Sequence, residues 1–230
     1  MKFKSLITES RFSLVVSLPS NNVDLAKAAL AGGAQALKVH MNVWHRASGN
    51  TFGDFKANRA FMEELIKLAG TVPVGLVPGG EDAFINPEEL AELEAMGLDF
   101  FSSYADHLPV FMMGSKKLDK MVAVNHAYTQ NTLDAVKNSG IDILEASIMS
   151  GDQYGRPLRY SDVLQYGDVA RKTGKPVLIP TQKKILPSET AALFEAGCKA
   201  IMIGAVVTGE GSPADCEKAT AEFRRAIDAL

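Results

Sequence analysis

Glu195-Ala196-Gly197-Cys198-Lys199-Ala200-Ile201-Met202-Ile203-Gly204-Ala205-Val206-Val207-Thr208-Gly209 reads as a helix end, a glycine stop, a buried strand and a small-residue turn. The turn opens onto another helix, Pro213 to Ala229. A glycine turn between a strand and a helix leaves backbone N–H groups beside a positive helix end, which suits a phosphate. In eight-stranded α/β barrels the loops after the last two strands often serve this purpose.

Working outward, the same alternation recurs. Phe12 to Leu18 is apolar and β-branched, the first strand, and an Asn of Pro19-Ser20-Asn21-Asn22 caps a helix from Val23 to Ala31. Strands follow at Ala36–Met41, Val72–Val77, Leu98–Ser103, Lys120–Asn125, Ile141–Ser147 and Pro176–Pro180. Helices are predicted at Phe55–Leu68, from Pro87 (capped by Asn86) to Met96, at Asn131–Ser139, Ser161–Thr173 and Glu189–Ala196. Eight strands, each followed by a helical or loop excursion, predict a parallel sheet with right-handed crossovers. The fold class is therefore α/β, a single (β/α)8 TIM barrel over residues 1–230, with an open doubly wound sheet as the rival.

Four segments fix the register: Gly33–His40, Gly97–Tyr104, Gly140–Ser147 and Gly197–Gly204. Each starts at a helix-ending glycine, has a polar residue two later, and a large apolar residue four later: Leu37, Phe101, Leu144, Ile201. These belong to strands two, four, six and eight. Side chains alternate along a strand. If the apolar set faces the helices, then Lys38, Ser102, Glu145 and Met202 face into the barrel as one layer. His40, Tyr104, Ser147 and Gly204 form the layer above. A slip of one residue would reverse all of this.

Composition sets limits on function. With 47% hydrophobic and 22% charged residues the 230-residue chain is ordinary for one globular domain with a large core. The net charge of −3, without a basic run, argues against nucleic acid. Cys198 and Cys216 show neither metal spacing nor a disulfide framework. No signal peptide is read in Met1 to Leu18, and no apolar run reaches the roughly 18 residues of a membrane helix. A reducing cytoplasm is the expected location, with no membrane partner.

Strands two and six lie across the barrel from each other, so Lys38 and Glu145 are expected to meet in a largely dry interior. A buried charge needs a partner. The pair reads either as a structural ion pair with Ser102 as a hydrogen-bonding neighbour, or as a catalytic pair near the carboxyl ends of the strands. Two mechanisms fit. Glu145 and Lys38 act as base and acid on a carbon next to a carbonyl, or Lys38 forms a Schiff base. His40 is the candidate to relay a proton or orient the substrate. Ser102, Asn125 (with its neighbour His126) and Ser147 are candidate substrate contacts. The competing use is a metal: His40, His45, His126, Asp54 and Glu145 are suitable ligand types, but no compact motif joins them, so no metal is assigned. No strand precedes Gly-x-Gly-x-x-Gly, and no other cofactor is expected.

The candidate phosphate seat comprises Gly204, Ala205 and Val206 through their N–H groups and Thr208 through its hydroxyl. Thr181, Gln182 and Lys183, after strand seven, form a second loop beside it. In the two long loops, Asn42–Asp54 with the sole tryptophan Trp44 and Ser150–Arg159, the segments Met41–Arg46 and Ser150–Arg156 read as candidate lids or as ordinary surface loops. Val110-Phe111-Met112-Met113 is too apolar to stand alone in water. It reads as a subunit interface, implying a homo-oligomer, or as a flap on the barrel mouth.

The glycine–strand repeat and the ending Ala200-Ile201-Met202-Ile203-Gly204-Ala205-Val206-Val207-Thr208-Gly209 resemble the ribulose-phosphate-binding barrel superfamily. Within it the layout is most similar to N-acylmannosamine-6-phosphate 2-epimerases. The resemblance covers the whole architecture and implies a phosphorylated ligand. It departs at two places. That family carries a catalytic lysine on strand three, where this chain has Val72-Pro73-Val74-Gly75-Leu76-Val77, and an acid and glycine after strand seven, where this chain has Pro180-Thr181-Gln182. The expected activity is isomerisation or epimerisation of a small phosphorylated carbonyl metabolite. A Schiff-base lyase or aldolase, or a non-catalytic phosphometabolite-binding barrel, are the alternatives.

Overall fold

The barrel strands read as near-continuous apolar runs because each is buried on both faces, by the barrel interior and by the surrounding helices. The computed structural model describes residues 2–209 and 211–230. In chain order the strands are β1 Ser13–Ser17, β2 Ala36–His40, β3 Val43–His45, β4 Asn50–Phe52, β5 Val74–Val77, β6 Phe100–Tyr104, β7 Asp119–Val124, β8 Ile143–Ala146, β9 Val177–Pro180 and β10 Ala200–Ile203. Eight of them close a barrel in the order β1-β10-β9-β8-β7-β6-β5-β2, and β3 and β4 pair separately as an antiparallel hairpin. Neighbouring barrel strands pair in parallel throughout.

The helices among the described residues are α1 Phe3–Glu9, α2 Val23–Ala31, α3 Phe55–Ala69, α4 Pro87–Met96, α5 Gln130–Lys137, α6 Tyr160–Thr173, α7 Thr190–Glu195, α8 Ala205–Thr208 and α9 Pro213–Asp228. Their starts follow the capping residues. The Asn22 side chain accepts from Asp24 N and Leu25 N, Asp54 accepts from Ala57 N, and Asn86 and Glu89 close a reciprocal box before α4.

The repeat register holds. Leu37, Phe101, Leu144 and Ile201 pack in the outer core against the helices, and Ala36, Phe100, Ile143 and Ala200 in a separate cluster inside the barrel. The polar residue two after each glycine has a structural task in three of the four repeats. Gln35 Oε1 accepts Leu14 N at 3.0 Å, and Asp99 Oδ2 and Asp142 Oδ2 accept Val74 N and Lys120 N at 2.9 Å. Each side chain thereby satisfies an N–H in the first two residues of the neighbouring strand.

Four features differ from the sequence reading. Helix α1 closes the amino-terminal end of the barrel: Phe3, Leu6 and Ile7 join the interior cluster, and the Phe3 ring stacks on Phe100 at 3.7 Å. The loop after β2 is the β3–β4 hairpin, not irregular chain. A four-residue helical turn, α8, stands between β10 and α9. Val110–Gly114 forms a 3-10 turn that buries Met112 but leaves Val110 exposed, and it takes no part in the cavity wall, so it is not a flap on the mouth. None of the described helices is long and apolar enough to cross a membrane.

Candidate active site

At the carboxyl ends of the barrel strands lies a cavity of about 480 Å³, the size range of small-molecule sites. Strand periodicity places its floor. Lys38 on β2, Ser102 on β6 and Glu145 on β8 point inward in one layer and are buried. Lys38 Nζ donates to Glu145 Oε2 at 3.4 Å, Ser102 Oγ donates to the same oxygen at 2.5 Å, and Ser147 Oγ donates to Oε1 at 3.0 Å. One ammonium and two hydroxyls thus replace the water that burial removes from the carboxylate. Lys38 pairs in register with Gly75 of β5. Where a side chain of β5 would stand, the Phe100 ring fills the space.

The layer above is aromatic and mostly uncharged. His40 at the end of β2 is buried, its ring 4.4 Å from that of His45 and 4.8 Å from Phe52, and its Nδ1 has no hydrogen-bond partner among the described residues. Burial, then the nearby His45 and Lys38, hold the His40 imidazole well below its ordinary value. Burial, then Lys38, pull His45 down to about 4, against an opposing pull from Glu145. Burial pushes the Tyr104 phenol up. At neutral pH both imidazoles are uncharged donors and acceptors beside an ion pair.

This electrostatic arrangement has a measurable consequence. Both imidazoles titrate lower in the folded chain, so the unfolded chain binds more protons as pH falls below about 6.5. Stability is full above that pH and is lost between about 6.5 and about 4; His45 alone accounts for about 3 kcal/mol. Urea midpoints measured at about pH 7.5 and about pH 5 are expected to fall with pH in the native chain and to fall less in His45→Phe. Equal pH dependence in the two proteins contradicts this assignment.

The structure gathers many of the sequence candidates but not all. Lys38, His40, Ser102, Glu145, Ser147, Thr181, Gln182, Gly204 and Ala205 line the cavity. Val206 lies one residue into α8 and is not in the wall. Thr208 is buried, with its hydroxyl on Gly209 O. Lys183 points away: Nζ donates to Gln153 Oε1 at 3.0 Å and pairs with Asp162 at 3.3 Å, both ionic side chains being buried. A phosphate role for Lys183 is therefore not carried forward. Asn125 also stands outside the wall, with its side-chain amide on Asp106 and Ala127 N. Of the candidate metal ligands, Asp54 caps α3 and His126 is exposed. Among the described residues no three His, Cys, Asp or Glu groups are placed to hold a metal ion together.

The anion seat differs in detail from the expectation. Gly204 N donates to Thr181 Oγ1 at 3.0 Å, which ties the ends of β9 and β10 together. Val207 N and Thr208 N fold back onto Gly204 O. That leaves the Ala205 and Val206 N–H groups without a backbone partner among the described residues, and of these two residues Ala205 lines the cavity. Gln182 acts as a rivet: Oε1 accepts Met149 N at 3.0 Å and Nε2 donates to Tyr154 OH at 2.9 Å. With Gly155 N on Gln182 O at 2.8 Å, the loop after β8 is fastened to the end of β9.

The sequence placed Arg46 and Tyr154 only within candidate lid segments and gave His45 no role beyond that and a metal ligand; all three line the cavity. For His45 a signal existed. Val43-Trp44-His45 and Asn50-Thr51-Phe52 flank a short turn with Gly49, which is a hairpin pattern.

Fold and side chains together define a class: a closed (β/α)8 barrel with an ionisable cluster at the carboxyl ends of its strands. No family model matches the chain, and no curated protein matches it by sequence. Among solved structures, Mycobacterium tuberculosis tryptophan synthase is similar with a TM-score of 0.71 and 15% identity, covering 96% of each chain. KGPDC from Streptococcus mutans gives 0.67 and 15% over 96% of this chain and 99% of that chain. Phosphoribosyl anthranilate isomerase from Thermus thermophilus gives 0.62 and 15%, over 92% and 98%. At such identity the likeness establishes the barrel fold; the resemblance to the epimerases rests on the sequence motifs alone.

Proposed function

We propose that the protein is an enzyme that moves a proton on a small phosphorylated carbonyl metabolite, as an isomerase or epimerase. The observation that carries this reading is the buried Lys38–Glu145 pair, 3.4 Å apart on the floor of the cavity. Glu145 takes the proton from the carbon next to the carbonyl. The electron pair moves onto the carbonyl oxygen, where the Lys38 ammonium meets the developing charge and supplies a proton. Return of a proton to the former carbonyl carbon, while the hydroxyl on the neighbouring carbon gives up its proton and becomes the new carbonyl, gives an isomer; return of a proton to the same carbon on its opposite face, with the carbonyl re-formed, gives an epimer. Ser102 and Ser147 aim the carboxylate.

The phosphate part of the reading is supported by the Ala205 N–H at the cavity wall, by the motif resemblance, and by a neighbour whose name states isomerisation of a phosphoribosyl compound. The test is exchange. Phosphorylated aldoses and ketoses incubated in deuterium oxide are followed by proton NMR. The native chain is expected to exchange the hydrogen next to the carbonyl of its substrate, and Glu145→Gln to lose at least about 10²-fold of that rate. Absence of exchange with every compound, or full activity in Glu145→Gln, overturns the reading.

A Schiff-base lyase is the second reading. It is favoured by a Lys38 amine that is only 7% exposed and has Glu145 as its one hydrogen-bond partner among the described residues. Borohydride trapping that leaves substrate on Lys38 selects it. Ligand binding that survives Lys38→Ala, with no turnover in either protein, selects a non-catalytic binder.

A further inference from the structure

The β3–β4 hairpin roofs the cavity. Strands β2 and β8 sit diametrically opposite in the barrel order, and the hairpin that follows β2 reaches the loop that follows β8. At its tip the Arg46 guanidinium lies on Gly151, so closely that a Cβ there would meet Nη1 at 3.2 Å. Its base is fastened, Asn42 N donating to Gly53 O at 3.0 Å and Asn42 Nδ2 to Pro78 O at 3.1 Å, and at the turn end Asn50 Nδ2 donates to Pro19 O at 2.8 Å. Side chains alternate on a strand. Trp44 therefore stands 59% exposed while His45 is the more buried of the two and lies tilted against His40.

The proton on His45 can be placed from its neighbours. Ser48 Oγ lies 2.9 Å from His45 Nδ1 and accepts Asn50 N at 3.5 Å. Ser48 is buried. A Ser48 hydroxyl that accepts this backbone N–H can give its own proton to the imidazole; Nδ1 is then the acceptor and the ring proton sits on Nε2. We propose that His45 takes this tautomer and is a third substrate-contacting group: the hairpin presents its Nε2–H as a hydrogen-bond donor to a substrate oxygen in the cavity that Lys38 and Glu145 also line. An uncharged imidazole donor and an ammonium together hold a developing oxyanion, without a second positive charge beside Lys38. This assignment rests on the carbonyl-substrate reading.

Nitrogen-15 NMR of the labelled chain at neutral pH reads the tautomer without any substrate. His45 is expected to be protonated at Nε2; protonation at Nδ1 overturns the proposal. In the exchange assay His45→Phe is expected to lower kcat about 10²-fold or more with KM changed little, and His45→Gln, which keeps a donor, to recover part of the loss. Ser48→Ala keeps the ring and removes its anchor; it is expected to mix the two tautomers and lower kcat several-fold, which tests the assignment if His45→Phe does not fold. Turnover unaltered in His45→Phe, with Lys38→Met and Glu145→Gln inactive, overturns the His45 role alone. Turnover unaltered in all three overturns the acid–base reading beneath it.

Discussion

Lys38→Met is expected to abolish measurable turnover, by about 10³-fold or more, and to destabilise the chain by about 3 kcal/mol in the same experiment. The two effects have one origin. Glu145 keeps Ser102 on Oε2 and Ser147 on Oε1 but loses the only cation that pairs with it among the described residues. A buried carboxylate left without its counter-charge costs several kcal/mol, whereas methionine fills the volume that the lysine stem occupied. Adding Glu145→Gln removes the stranded charge. The double variant is therefore expected to be more stable than Lys38→Met alone while staying inactive. Urea unfolding of the native chain, both single variants and the double variant supplies the cycle, and a coupling of about 1–3 kcal/mol is expected for groups in contact. Strictly additive effects would mean that the pair does not interact, and full activity in Lys38→Met would remove the ammonium from the mechanism.

The position of this pair was legible from sequence because strand periodicity is a one-dimensional code. Leu37, Phe101, Leu144 and Ile201 mark the outer face, so the residue after each must face inward, and Lys38 and Glu145 fall on opposite strands of an eight-fold ring. What the code omits is contact between segments that share no pattern. Lys183 sits in a turn that looks solvated, yet its partner is Asp162 in the first turn of α6, and nothing in the spacing of the two announces an ion pair. Helix α1 is only seven residues long, too short to show a helical period, and its reason for existing is Phe100, far along the chain. Val206 looked like a turn residue because a single helical turn, α8, has no signature separable from the small residues around it. Asn125 followed the last residue of its strand closely enough to suggest the cavity, but its amide was claimed by the local turn through Ala127 N.

The second large effect is expected at Gly75, beside the catalytic layer. A methyl group there would lie 2.1 Å from two carbons of the Phe100 ring. The ring is fully buried and stacked at 3.7 Å on Phe3, which α1 presses into the barrel from below. Overpacking of a well-filled core costs about 1–3 kcal/mol, and a clamped ring places Gly75→Ala at or above the top of that range. Phe3→Ala acts with the opposite sign of volume, leaving a void beneath Phe100 and costing about 3–5 kcal/mol. The two changes share a partner, so their effects should not add: with Phe3 removed the Phe100 ring can sink toward the vacated space, and the alanine at 75 is accommodated. The double variant is expected to be markedly more stable than the sum of the single losses predicts, measured by urea unfolding of all four proteins. Additive losses would show that Phe3 does not hold Phe100 in place, and the closure of the barrel floor by α1 would have to be abandoned. Because Gly75 pairs in register with Lys38, the same substitution reaches the active layer. Displacing the ring moves β5 against β2, and a drop in turnover without any change to Lys38, Glu145 or His45 is expected to accompany the lost stability.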